Sequence, residues 1–141
     1  MKVLLSLRMP AKLENLEKLV LSVSDCARAQ GFDQKRLSEI ELSTEEALVN
    51  IFNYAYPQGP GDVELNCKLD DSHFVIEIID SGVPFDISTL PDPDVTLNVD
   101  ERKIGGLGIF LMKRLMDEIR TTREGVRNIL SLVVRRKGKA G

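Results

Sequence analysis

DQKRLSEIELSTEEALVNIFNYA, residues 33–55, carries the helical pattern on which the rest of the reading turns. Asp33 is a helix-capping residue type, with Phe32 before it and Leu37 beyond it as a hydrophobic staple. Leu37, Ile40, Ala47, Leu48, Ile51 and Ala55 recur at helical spacing and form one apolar stripe. The run Pro57-Gln58-Gly59-Pro60-Gly61 ends the helix. Turning by about 100° per residue places Glu39, Ser43, Glu46, Asn50 and Asn53 together on the opposite side. A solvated face accounts for such a stripe. Two features point elsewhere: the stripe has no Lys or Arg, and it holds two Asn, which are poor interior helix formers. Glu46 and Asn50 stand one turn apart and can converge on one ligand. An amide carbonyl suits a hard cation such as Mg²⁺, and a carboxylate beside it can accept a hydroxyl proton.

Outward from this helix, the pattern alternates between strand and helix periods. Val3–Leu7 reads as a first strand, and Leu13, Leu16, Val20, Val23 and Ala27 give a helix from Ala11 that Gly31 stops. Val63–Leu69 and Phe74–Asp80 form a hairpin around Asp70-Asp71-Ser72. Residues 81 to about 104 show no sustained period and carry Pro84, Pro91, Pro93 and five carboxylates (Asp86, Asp92, Asp94, Asp100, Glu101), the pattern of a lid, a binding loop or a disordered segment. A third helix starts near Gly108, with Ile109, Met112, Leu115, Met116 and Ile119 as its apolar side. Strands around Ile119–Arg123 and Ile129–Arg135, joined at Glu124-Gly125, close the chain. Tight turns between neighbours predict an α+β two-layer sandwich: a mixed, largely antiparallel sheet with helices on one face.

The length, 141 residues, suits one domain spanning 1–141. A net charge of −3 gives no basic excess and argues against a nucleic-acid or anionic-membrane partner; only the tail (Arg135, Arg136, Lys137, Lys139) is basic. The apolar start is too short for a signal peptide or a membrane span, so a cytoplasmic protein is expected. Cys26 and Cys67 lie far apart in sequence and read as reduced core thiols, not as zinc ligands or a disulfide framework. A single histidine, His73, cannot supply a His-based metal site or a triad.

Two glycine turns flank the irregular stretch. Alternation places Asp80 on the same strand face as Phe74, Ile76 and Ile78, where an unpaired carboxylate is costly. It needs a donor, either the amino group of a planar ligand that Gly82 lets close, or its own backbone in an Asp-Ser-Gly turn. Gly105-Gly106-Leu107-Gly108 opens the third helix, and exposed amides at a helix start attract phosphate; a hinge or helix-entry turn explains it nearly as well. It follows a loop and not a strand, which excludes the dinucleotide fingerprint, and no Lys-Ser/Thr pair follows to make a P-loop.

In order along the chain, these pieces resemble a known family. Glu46-Ala47-Leu48-Val49-Asn50 resembles the N box of the GHKL ATPases (gyrase, histidine kinases and their relatives). Asp80-Ser81-Gly82-Val83-Pro84-Phe85 resembles the first glycine box, and Gly105-Gly106-Leu107-Gly108-Ile109 the second. The short length and the Tyr54-Ala55-Tyr56-Pro57 run are most similar to the anti-sigma-factor serine kinases. The resemblance implies a Bergerat ATP-binding fold, ATP and Mg²⁺ as cofactors, Glu46 as general base and Asn50 as metal ligand. It places Asn50, Asn53, Asp80, Gly82, Val83, Gly105, Gly106, Leu107, Gly108 and Asn128 around the nucleotide, with Asp80 on the adenine amino group. The implied activity is phosphorylation of a serine on a STAS-domain antagonist, with sequestration of a sigma factor in the alternative complex and a homodimer as a possible assembly. A non-catalytic ATP-binding module that holds a regulator is the alternative. The catalytic part of a histidine kinase is set aside, because nothing here supplies a dimerising helix pair with an acceptor histidine. Two departures stand out. Many relatives carry His where Asn53 or Tyr54 stands, and Arg127-Asn128 replaces a Gly-Thr pair, leaving Asn128 to offer a hydrogen bond near the adenine.

Overall fold

The structure is a computed structural model that describes residues 1–84 and 106–137. The acidic stretch and Gly105 therefore lie outside the described residues. The elements run β1 (Lys2–Pro10), a 3₁₀ turn (Leu13–Asn15), α1 (Leu16–Ala29), α2 (Gln34–Tyr54), β2 (Asp62–Leu69), β3 (His73–Asp80), α3 (Gly106–Leu115), β4 (Glu118–Glu124) and β5 (Arg127–Arg135).

The five strands form one sheet in the order β1-β2-β3-β5-β4. All four pairings among the described residues are antiparallel, so the "mixed" part of the expected sheet is not found. Two of these pairings, β2–β3 and β4–β5, are tight hairpins, which pair only antiparallel; β1–β2 and β3–β5 are joined through intervening elements. The β2–β3 turn is held by Asp70, whose Oδ1 accepts from the backbone N–H groups of Ser72 and His73 at 2.8 and 2.6 Å. These bonds hold the Asp70 carboxyl below the usual aspartate range.

One sheet face carries Leu65, Cys67, Ile76, Ile78, Leu130 and Leu132, all buried against the helices in one apolar cluster. Leu19, Val23 and Ala27 of α1 and Ile40, Ala47 and Leu48 of α2 fill it from above with no exposed surface. Phe32 meets Phe74 edge to face, ring centres 5.8 Å apart. Asp33 caps α2 as expected, its Oδ1 accepting from Arg36 N at 2.8 Å.

Three boundaries differ from expectation. β1 runs on to Pro10, opposite Asp62, and Ala11 N still donates to Gly61 O. The chain thus leaves the sheet later, α1 begins at Leu16, and Leu13 is left 70% exposed. α3 starts at Gly106, earlier than expected, and ends at Leu115. Ile119 belongs to β4, where it faces Leu132, because Asp117 N already donates to Val133 O. The two cysteines, distant in sequence, belong to the same apolar region, Cys67 in the core cluster and Cys26 packed against it. Burial pushes both thiols up, Cys67 most, so both favour the protonated form.

Candidate functional site

The polar stripe of α2 is largely covered. Ser43 and Asn50 are 0% and 4% exposed, Glu46 is half-buried, and only Asn53, near the end, is exposed. α3 packs along α2. Asn50 donates from Nδ2 to the Glu46 carbonyl at 2.9 Å. With the NH₂ group committed to its own helix, the carbonyl oxygen is the part of this amide left for a ligand. The Glu46 carboxyl is pushed above the usual glutamate range, first by burial and then by the neighbouring Glu45. A carboxylate held up in this way is a stronger proton acceptor. Ser43 Oγ is buried without a hydrogen-bond partner.

At the far end of β3, Asp80 is 7% exposed and is held from two sides. Its Oδ1 accepts from Gly82 N and from Asn128 Nδ2, both at 2.8 Å. The first bond is the Asp-Ser-Gly turn foreseen from sequence; the second comes from the residue opposite Asp80 in the β3–β5 register. Among the described residues the other carboxylate oxygen receives no hydrogen bond, which leaves an acceptor for a ligand amino group. Asn128 also donates to Val83 O at 2.8 Å, and its Oδ1 accepts from Arg123 Nη1 at 2.9 Å. The same Arg123 nitrogen reaches Gly82 O at 2.9 Å. Asn128 therefore orders the Asp80–Val83 turn as well as facing the pocket.

Gly82 has a purpose the sequence did not reveal. A Cβ there would stand 2.1 Å from the Ala55 carbonyl oxygen, so the close approach is to the end of α2. Val83 N donates to that same oxygen at 2.9 Å. Tyr56 adds a second clasp: its hydroxyl donates to Asp62 O at 2.5 Å and accepts from Ser81 N at 2.8 Å.

These contacts bring Asn50, Ile51 and Ala55 together with Asp80, Val83 and Asn128 around one narrow pocket. Asn53 does not line it, and Glu46 lies one helical turn before Asn50. α3 opens at Gly106, so its first turn holds Gly106, Leu107 and Gly108. Arg123 and Tyr56 were missed from sequence. Once the Glu124-Gly125 turn is placed, register alone sets Arg123 opposite Asn128, so that signal was available.

Residues 9–134 match the histidine kinase-like ATPase domain, nearly the whole chain. The chain belongs to that family. Among similar proteins are the serine-protein kinases RsbW of Bacillus mycoides (strain KBAB4) and Bacillus cereus (strain AH820), 27% and 26% identical over 138 residues. Each alignment covers 94% of this chain and 86% of the relative. The fold is also that of a crystal structure of RsbU and RsbW domains from Mycobacterium tuberculosis, with TM-score 0.62 and 15% identity. That match covers 95% of this chain and 34% of the other. A structure of the SiaB–SiaC complex from Pseudomonas aeruginosa matches with TM-score 0.61 and 18% identity, over 95% and 91% of the two chains. For this ATPase-family chain, no helix among the described residues is long and apolar enough to cross a membrane.

Proposed function

We propose that residues 1–141 form one ATP-binding unit that acts as a protein serine kinase in a cytoplasmic partner-switching circuit. The observation that carries this reading is the half-buried Glu46, its basicity raised by burial, one turn from an Asn50 whose carbonyl oxygen takes no hydrogen bond among the described residues. In this reading Asn50 holds Mg²⁺, and Glu46 takes the proton of an acceptor serine hydroxyl. Asp80, oriented by Gly82 and Asn128, receives the adenine amino group, while Val83 and Ile51 flank the ring. The first-turn amides of Gly106, Leu107 and Gly108, with Gly105 before them, face phosphate. Asn53, exposed at the end of the stripe, supports the nucleotide only from the rim. Bound Mg-ATP would supply the transferable phosphoryl group and the charge neutralisation that phosphoryl transfer needs. The similarity to serine-protein kinases RsbW supports a STAS-domain protein as the acceptor and a sigma factor as the second partner.

The test is transfer of radiolabel from ATP to a purified STAS-domain protein. Glu46→Gln should slow transfer by about 10²–10⁴-fold, the usual loss of a general base, with nucleotide affinity kept. Transfer at the wild-type rate by this variant removes Glu46 from the role. ATP binding by the wild-type chain with no transfer to any STAS protein favours the non-catalytic module instead.

A further inference from the structure

A second cavity, of about 420 Å³, lies at the opposite end of the sheet from the ATP-family pocket. Asp80 pairs with Asn128 at one end of β3, and His73 pairs with Arg135 at the other. Seven residues of strand separate the ends by about 23 Å. The cavity is walled by Lys35 and Arg36 of α2 and by Arg135, Arg136 and Lys137 at the end of β5, with Phe32 among its apolar lining.

Five cations thus meet in one concavity of a chain whose net charge is −3. It also holds two carboxylates. Asp33 caps α2, and Glu39 accepts from Arg36 at 3.2 Å. Arg36 is spent on Glu39, Asp117 and the Leu115 carbonyl. Arg136 is spent on the Asp70 carbonyl, and its own N–H donates to Ser72 O at 2.8 Å. That pinning fixes the backbone between Arg135 and Lys137. The side chains of Lys35, Arg135 and Lys137 have no ion pair among the described residues. Elsewhere on the surface, Arg8, Arg28, Lys68, Arg120 and Arg127 each have a carboxylate partner. Five cations against the two carboxylates of Asp33 and Glu39 leave the concavity with a positive excess, and an anionic ligand relieves the repulsion among them.

The three cations come from two elements and are exposed, so no buried donor awaits a single point anion. Beside them stands a half-buried aromatic ring. We propose that this cavity is a docking site for an acidic polypeptide segment of a partner protein, with several carboxylates on the cationic wall and one apolar side chain against Phe32. The site is separate from the nucleotide pocket, and its occupation does not depend on kinase activity.

The probe is a fluorescein-labelled peptide of six glutamates around one photoreactive leucine, titrated into the full chain and read by fluorescence anisotropy. Saturable binding that weakens with added salt is expected. The variant K35Q/R135Q/K137Q should lose at least about tenfold in affinity, as for three ordinary surface ion pairs. The control R8Q/K12Q/K18Q, on other surfaces, should stay within about twofold. Illumination should cross-link the leucine beside Phe32, a readout that needs no variant. Equal losses in both variants, or cross-links spread over the surface, overturn the proposal. So does displacement of the peptide by an RNA oligonucleotide or by inorganic pyrophosphate at lower concentration than an unlabelled copy of the peptide.

Discussion

A carboxyl group that is half-buried beside another carboxylate, as Glu46 is beside Glu45, keeps its proton to higher pH than a glutamate in water. Two outcomes follow at this residue. As the proposed base it would work only when ionised, so the acid limb of the transfer rate should lie above the ordinary glutamate value of about 4.3. A pH–rate profile measures this, and a limb at or below that value removes the link between burial and basicity. For stability the sign is reversed. The folded pKa exceeds the unfolded one, so the group costs nothing below the unfolded pKa and its full penalty above the folded one. Glu46→Gln should therefore leave the melting temperature unchanged at acid pH and raise it slightly at neutral pH. A lowered melting temperature at neutral pH would mean that Glu46 is held by an attraction that outweighs its burial. Gly82 is the other decisive residue. An added Cβ meets the Ala55 carbonyl oxygen at 2.1 Å, so Gly82→Ala must push the Asp80–Val83 turn off the end of α2. Overpacking of this kind costs about 1–3 kcal/mol. Urea unfolding reads the cost, and a neutral result would show that the turn can shift freely.

Among the elements, α3 is the one whose ends do different things. Its first turn holds the glycines, while its last carbonyl, that of Leu115, accepts from Arg36 of α2. Arg36 Nη2 also donates to Asp117 Oδ2 at 2.7 Å, and that oxygen accepts from Arg135 N at 2.7 Å. One guanidinium thereby caps α3, ties it to α2 and joins both to the end of β5. Arg36→Met keeps the apolar stem but removes every donor. It should destabilise the chain by about 1–3 kcal/mol, the cost of leaving charge-linked acceptors unpaired. Asp117→Asn in the same background should add less than it costs alone, because the two share a network; full additivity would show that they act independently. The sequence showed α2, its Asp33 cap and both hairpins because period, caps and turns act within a few residues. It did not show this latch, since Arg36 meets Leu115 and Asp117 across 79 and 81 residues. The same holds for Arg123 with Gly82, 41 residues apart, and for Tyr56 with Ser81, 25 apart. Periodicity gave the covered stripe its residues, but the burial of the Ser43 hydroxyl without a partner is visible only in the folded chain.

At the scale of the whole molecule, the layers are not held equally. β3 is central, hydrogen-bonded along its length to β2 on one side and β5 on the other. α1 and α2 pack on each other and on the sheet, whereas α3 rests chiefly on α2. The tight attachments of α3 among the described residues include the buried Ile109 and Met112, Met116 just beyond its end, and the Arg36 cap. Elements with fewer neighbours open at lower free energy than the global transition. Native-state hydrogen exchange should therefore show the β3 amides exchanging only through global unfolding and those of α3 through a smaller, separate opening. If Mg-ATP binds the native form as proposed, it should slow exchange through every opening that destroys its site, global unfolding included, by RT ln(1 + [L]/Kd), about 2.7 kcal/mol at a hundredfold excess over Kd. If the first turn of α3 meets the phosphates, the smaller opening should vanish as well, and α3 should exchange with β3. Protection that rises in β3 alone, with α3 still opening as before, would place the ligand away from the glycine-led turn. In that case α3 would be a packing element, and the nucleotide would be held by α2 and the end of β3 alone.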